Sequence, residues 1–586
     1  MKWRAIVAGA IAFILFGSAN PDPYPDDYFE SPLGIPLYLA GSFAEMRSNH
    51  FHGGLDMKTQ GHAGYPVYAA ADGWVSRVAV SPGGYGNALY LSHQNGYMTV
   101  YGHLDRFSEN IQLAVKERQY AEERFDVQMF PDRGRFPVLK GELIAYSGNS
   151  GGSSGPHLHF EIRDERTGWP MNPLLWGFDV KDTIKPRIYR FKVYALGTTS
   201  RIRLRDSRTG GWRIIEAGES AFVELIRNNG SIVMQCVDRI EASGPIGIGV
   251  QTHDFHDGSN NLLGQYKIRV LKDDESIFES VLERFAFDQT RFINAHVDYA
   301  ERSSSGRWVQ RGFVLPGNEL PMYETKDEGV FTVTPGDVSD IDVQVEDAYG
   351  NAAGFSFDVF GTYSEDSSGI DESSEVYRWS HEELFTYRAR GFTLRAPAGA
   401  LYDDIQFHYS ELPAFGLKRP VYSALHSVHD RVVPVHKPLS LEISAPDLPE
   451  ELHDKAVIAQ VSSNGSLSWA GGEWNGRSVK TSVRSFGTFV VTVDDDPPEI
   501  RPLNISPGKN MASTGEIRIR IRDGFSGIRS YRGTIDGEWV LFEYDAKYQL
   551  LRHRFENDLP RGSHMLEMTV TDNKGNTASR EIPFTR

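Results

Sequence analysis

The chain has 586 residues, a net charge of −17 and a pI near 5.6, with 40% hydrophobic and 24% charged residues. That length exceeds what one core can organise and calls for about three to five domains. The acidic balance excludes phosphate-tracking nucleic-acid binding, which needs clustered Lys and Arg, and reads as a solubility feature.

In chain order, Lys2 and Arg4 precede an apolar run over residues 5–17, and Gly17-Ser18-Ala19 offers small residues to a signal peptidase. Residues 1–19 therefore read as a cleaved secretory signal, and no transmembrane segment is expected after cleavage. The expected location is outside the cytoplasm: the periplasm or cell envelope, or the surrounding medium. Cys236 is the single cysteine, so an exported chain must rely on core packing instead of internal disulfides. Its setting in SIVMQCVD predicts a buried core position.

Residues 24–48 read as a lead-in. From about residue 50 to 178, YPVYAAADGWVSRVAV (65–80), NALYLSHQNGYMTVYGHL (87–104) and FPVLKGELIAYSGNS (136–150) alternate with period two between Gly-containing turns. This predicts an all-β unit over residues 20–180, with its core at 50–178. SENIQLAVKERQYAEERFDVQ (108–128) lacks Gly and Pro and predicts a helical insert near 108–136. After a linker containing Pro186, spaced short strands predict a β-sandwich over 185–362. TYSEDSSGIDESSEVY (363–378) reads as an acidic linker. A β-rich unit is expected over 379–494, and a further one, opened by Pro497-Pro498, over 497–586. DAYGN (347–351) and DNKGN (572–576) form a weak repeat. Their Gly-Asn pairs read as turn formers, and the repeat suggests immunoglobulin-like units used twice.

The chemistry concentrates in SGPHLHFE (154–161) and HFHGGLDMK (50–58). On a strand, His157 and His159 share a face, about 7 Å apart, so one can ligate a metal while the other serves a group bound beside it. Gly53 and Gly54 let the backbone bend so that His52 and Asp56 converge. His52, Asp56 and His159 then make a two-His, one-carboxylate zinc site with an open fourth position. His50 is an alternative ligand to His52. His103, in TVYGHLD, ends an alternating strand, and His93 reads as structural.

The segments FHGGLDMKTQGHAGYPVYAAADGWV, GGYGNALYLSHQNGYMTVYGHL, VLKGELIAYSGNSG and SSGPHLHFEIR resemble the lysostaphin-type (LytM-like) zinc peptidases, which cut peptide cross-bridges of peptidoglycan. The resemblance covers residues 50–178. It implies a duplicated-hybrid-motif antiparallel β peptidase domain, Zn2+ held by His52, Asp56 and His159, and catalytic histidines at His103 and His157. It also implies peptidoglycan as substrate, with the β-sandwich tail meeting an envelope protein or a glycan. The insert lengthens the chain between His103 and His157, and reads as a wall of the substrate groove. A second reading keeps the fold in a catalytically weak protein that binds the wall and activates another hydrolase.

Other motifs are discounted. GNSGG (148–152) fits G-x-S-x-G, but a strand is expected after it, where a nucleophile elbow needs a helix. HEELF (381–385) has Phe where a zincin needs its second histidine. His426, His429 and His436 have no carboxylate or Cys motif beside them.

Overall fold

A computed structural model describes residues 24–363, 377–555 and 559–586. The expected signal peptide and nearly all of the acidic linker lie outside these residues. The described chain is almost entirely β, as the alternating patterns require.

The first unit contains, in order, β1 (Leu39–Gly41), β2 (Met46–Arg47), β3 (His50–Phe51), β4 (Leu55–Lys58), β5 (Pro66–Tyr68), β6 (Gly73–Val80), β7 (Asn87–His93) and β8 (Tyr97–Leu104). There follow β9 (Arg106–Phe107), α1 (Glu109–Glu122), β10 (Val127–Met129), β11 (Pro137–Val138), β12 (Leu143–Tyr146), β13 (His157–Asp164) and β14 (Pro170–Met171). The main sheet runs β1-β4-β13-β8-β7-β6-β10, and a small sheet runs β5-β12-β9. β13 is central, antiparallel to both β4 and β8. Burial on both faces explains why HLHFEIRD carries no solvent-facing polar row until Arg163.

Two sequence expectations change here. Residues 24–48 are no lead-in: Phe29, Leu33, Leu37, Leu39 and Phe43 are buried in the core, and β1 is an edge strand on β4. The insert near 108–136 is helical only over α1, which buries Ile111, Ala114, Val115 and Gln119 at helical spacing. Glu123 then takes a left-handed conformation that ends the helix. Val127–Met129 and Pro137–Val138 pair with β6, so the rest of the insert widens the main sheet.

Further along, residues 187–361 form two sheets whose inner faces share one core, including Phe191, Ile248, Phe278 and Phe357. A second pair of five-stranded sheets lies within 385–493, and a four- and a five-stranded sheet lie within 499–585, each pair over its own core. Cys236 is half-buried, with φ of 62° at a break between strands, and is not the core residue expected.

The first core does not close within its own segment. Phe285, Phe292, Ile293 and Val297 come back from the second unit to pack in it. Phe285 sits 5.3 Å from the Phe43 ring and 5.6 Å from Phe51, and the Phe51 amide donates to Thr290 Oγ1 at 2.7 Å. Tyr402 joins the same core and donates to the Arg291 carbonyl. Residues 532–547 return to the first unit as well: Arg532 pairs with Glu123, Trp539 meets Tyr120 edge-on at 5.1 Å, and Lys547 Nζ donates to the carbonyls of Asn149, Gly151 and Ser153.

A chain cut after residue 180 is expected to aggregate, because Phe43 and Phe51 lose their cover, whereas one cut after 362 stays soluble. Phe285→Ala should cost about 3–5 kcal/mol of stability by chemical denaturation.

Candidate metal centre and active site

Strand register creates the site. Asp56 on β4 lies directly opposite His159 on β13, and Gly102 on β8 opposes His159 from the other side. His52 enters from the HFHGGLD turn. A Cβ on Gly54 would stand 2.2 Å from the Phe160 carbonyl oxygen, so the turn can pass β13 only as glycine.

His52 Nε2, His159 Nδ1 and Asp56 Oδ1 form a triangle with sides of 3.0, 3.0 and 2.9 Å. His52 and His159 are each 3% exposed and Asp56 5%, so water does not screen the group. The remaining imidazole nitrogens are committed elsewhere. His52 Nδ1 donates to the Ser42 carbonyl at 2.7 Å, and His159 Nε2 donates to Glu161 Oε1 at 2.8 Å. Those bonds fix the tautomers and leave lone pairs on His52 Nε2 and His159 Nδ1. With Asp56 Oδ1, three electron-rich atoms then face one another about 3 Å apart. That arrangement is repulsive unless a cation or a proton sits among them. The residues present therefore fit a zinc ion's donor set of two imidazoles and one carboxylate.

The surroundings tune this group. Burial opposes the charge on Asp56, but His52, His157 and His159 outweigh it and hold its carboxyl well below the usual range. Arg47 Nη2 donates to the outer oxygen, Asp56 Oδ2, at 2.6 Å. Burial lowers His52. For His159, burial is outweighed by hydrogen bonds to Asp56 and Glu161, which raise it to about 9. Glu161 is held at about 2 because Arg163 and His159 overcome its burial. Tyr85 donates to Glu161 Oε1 at 2.6 Å, completing the support behind His159.

His103 and His157 stand beside the triangle. Their ring centroids are 4.8 Å apart, and His103 is 5.8 Å from His159. His157 Nε2 lies 3.2 Å from Asp56 Oδ1, is buried and makes no hydrogen bond, while Nδ1 donates to the Gly155 carbonyl at 2.8 Å. His103 has φ of 58° and donates from Nδ1 to the Ser150 carbonyl at 2.9 Å. A left-handed non-glycine residue at the end of β8 stores strain that the neighbouring loops hold in place.

GNSGG is one of those loops. Ser150 Oγ donates to the Leu104 carbonyl at 2.7 Å and accepts from the Asn87 amide at 2.9 Å. With β13 following, it is a structural serine at a tight crossing. A Cβ on Gly151 would meet Gly86 N at 2.3 Å.

The structure thus brings His52, Asp56 and His159 together, with His103 and His157 adjacent. It leaves out His50, which is exposed and bonded to Ser48. His93 is tied to Asp72 and Thr99, and His381 to Asp404. His426 and His436 bond to different tyrosines, Tyr409 and Tyr402. The supporting residues Arg47, Tyr85, Glu161 and Arg163 were not expected from sequence. Glu161 and Arg163 share the face of His159 by period two, a signal that was present in PHLHFEIR.

Comparison with known proteins places this geometry. The profile of peptidase family M23 matches residues 50–122, and that of a Zu5-like domain matches residues 374–494. Lipoprotein NlpD of Yersinia enterocolitica is 32% identical over 114 residues, 20% of this chain and 91% of that protein. The DD-carboxypeptidase/endopeptidase Mpg of Neisseria meningitidis serogroup B is 31% identical over 158 residues, 27% of this chain and 29% of the relative. Among solved structures, a zinc-containing peptidase from Vibrio cholerae is 28% identical with a TM-score of 0.19, covering 25% of this chain and 39% of that one. The site and its surrounding sheet are those of a metallopeptidase domain. The chain belongs to peptidase family M23. The match spans under a third of the length of the Neisseria relative.

Asp56→Ala and His159→Ala should each lose bound zinc, measured by elemental analysis of the purified chain, whereas His103→Ala and His157→Ala keep it. Zinc competes with a proton for His159 Nδ1. Because the metal-free group is raised to about 9, binding below that pH expels one proton. Apparent zinc affinity should therefore climb about tenfold per pH unit towards pH 9 and level off above it, read by chelator competition.

Proposed function

We propose that the chain is an exported zinc endopeptidase that hydrolyses peptide cross-links of bacterial peptidoglycan. The observation that carries this is the convergence of three lone pairs from His52, Asp56 and His159, with the imidazoles of His103 and His157 alongside. The printed names of the relatives, one of them a DD-carboxypeptidase/endopeptidase, support the substrate class.

A bound zinc ion would supply Lewis acidity, polarising a scissile carbonyl and making water nucleophilic near neutral pH. The chain supplies the rest. His157 is the better placed general base: Nδ1–H is spent on Gly155, so Nε2 carries the lone pair and has no competing hydrogen bond. Burial, together with His159 and His157, holds His103 down at about 3, so it enters the reaction neutral. The imidazole that receives the proton from the attacking water returns it to the leaving amine. Arg47, Glu161 and Tyr85 touch no reacting atom and act by fixing Asp56 and His159.

The insert and residues 541–554 together line a cavity of about 600 Å³ that includes Gln112, Lys116, Asn149, Gly151, Tyr544 and Tyr548. It supports reading the insert as a groove wall that selects which cross-link enters. The sheets after residue 187 support three accessory units, at 185–362, 379–494 and 497–586, that hold the peptidase in the periplasm or envelope against a protein or glycan partner.

Digestion of purified sacculi with the zinc-loaded chain should release cleaved muropeptides, detected by mass analysis. His103→Ala and His157→Ala should each lose at least about 10²-fold in rate at unchanged zinc content. Stoichiometric zinc with no cleavage by the wild type would select the wall-binding activator instead.

A further inference from the structure

A second cluster of ligand-type side chains lies away from the catalytic groove, at the joint between the peptidase unit and the sandwich after it. Asp182 belongs to the connecting segment. Asp254 and His256 follow the strand Ile246–His253. One ligand atom from each of the three lies within 4.8 Å of the others. His256 Nε2 is 3.6 Å from Asp182 Oδ2 and 3.8 Å from Asp254 Oδ2, beyond hydrogen-bonding distance in both cases.

The cluster is buried and unsatisfied. Asp254 and His256 are each 2% exposed, and the Asp182 side chain is 0% exposed. Asp182 Oδ2, Asp254 Oδ1 and His256 Nδ1 have no hydrogen-bond partner. Asp182 Oδ2 is the very atom aimed at the imidazole. Buried carboxylates and imidazoles left so bare are costly unless something bridges them. Among the described residues, neither Asp182 nor Asp254 forms an ion pair with a Lys or Arg. The charges that act most on Asp254 are Asp182 and Asp347, and with burial they push it up to about 8. Burial holds His256 at about 4, so it offers a lone pair and no compensating charge.

The same chain shows what a self-sufficient version looks like. DTIKPRI (182–188) and DDDPPEI (494–500) place Asp, Pro and Ile at matched positions before a first strand. Asp254 and Asp523 each directly follow a strand, and Asp347 and Asp572 open the two D-x-x-G-N turns. The later joint gathers Asp494, Asp523 and Asp572. There Arg419 Nη1 stands 3.9 Å from Asp494 Oδ1, so a protein cation is at hand. The earlier joint has an imidazole and no such cation.

We infer that the joint between the peptidase unit and the sandwich holds a divalent cation of the zinc or manganese class, on Asp182, Asp254 and His256. The imidazole nitrogen sets that class, since calcium and magnesium favour all-oxygen sites. Asp347 does not compete for the ion: its oxygens accept from the amides of Tyr349 and Asn351 and from Asn351 Nδ2. Asn351 Nδ2 also reaches the Asp182 carbonyl at 3.3 Å and steadies the connecting segment.

The ion has a structural reach. Residues 254–264 run on from its ligands to the edge of the catalytic sheet. Ser259 Oγ donates to the Leu39 carbonyl at 2.9 Å, Asn261 Nδ2 to the Ala40 carbonyl at 3.0 Å, and the Gly264 amide to Ser42 Oγ at 2.9 Å. The Ser42 carbonyl is the acceptor that orients His52. An ion at the joint therefore stiffens the loop that backs a ligand of the catalytic site, whatever reaction that site performs.

The test is the metal content of the full chain after equilibrium dialysis against zinc alone, and separately against manganese alone. Wild type should hold about two equivalents of zinc, and Asp56→Ala, Asp254→Asn and His256→Gln about one each. Asp56→Ala combined with Asp254→Asn should hold none, and Asp523→Asn should keep both. Asp254→Asn preserves shape and removes an uncompensated charge, so its retained equivalent reports an intact peptidase unit. A single wild-type equivalent that Asp56→Ala abolishes would overturn the inference. So would two equivalents surviving both Asp254→Asn and His256→Gln, or loss of one in Asp523→Asn.

Discussion

The mutual repulsion of three lone pairs, on His52 Nε2, His159 Nδ1 and Asp56 Oδ1, is the constraint on which the rest of the catalytic unit depends. Each atom is held there by a bond on its far side: Ser42 for His52, Glu161 for His159, Arg47 for Asp56. Those bonds in turn require the edge strand β1, the central strand β13 and the Met46–Phe51 hairpin to keep their places. Gly54 and Gly102 are small because His159 and its strand must approach so closely. A buried, preorganised ligand set of this kind binds metal without rearranging, and the sheet bears the cost of keeping like atoms together.

Much of this was legible in the sequence, for a chemical reason. Metal ligation needs imidazole or carboxylate at fixed spacing, and the flanking glycines mark where backbone must pass backbone. His52, Asp56, His103, His157 and His159 could therefore be singled out before any coordinates, and period two put the strands in place. The supporting residues were harder. Arg47 and Tyr85 lie in segments with no periodic signal, and only register across β4, β13 and β8 brings them to the site. The α1 insert was overextended because Val127–Met129 follows a helix-like run and becomes a strand only by pairing with β6. The lead-in was misjudged because Phe29, Leu33 and Leu37 lack a strand's alternation and are buried as loop residues.

What sequence could not show is how the units interlock. Local pattern says nothing about Phe285 or Phe292 filling a core begun more than two hundred residues earlier, nor about Tyr402 joining them. These side chains replace the water that would otherwise face Phe43 and Phe51, so the peptidase unit and the sandwich share one hydrophobic interior. The interdomain aspartates obey the same logic in polar form. Asp182 and Asp494 sit where one unit hands over to the next, and each reaches across to its neighbour.

The docking of Arg532, Trp539 and Lys547 on the insert and on the GNSGG loop has a temporal consequence. These partners are separated by roughly four hundred residues of chain, so during synthesis the peptidase unit is complete long before they emerge from the ribosome. The catalytic cleft is thus born with one flank bare. It acquires its final outline only when the unit of residues 499–585 has folded and swung back onto it.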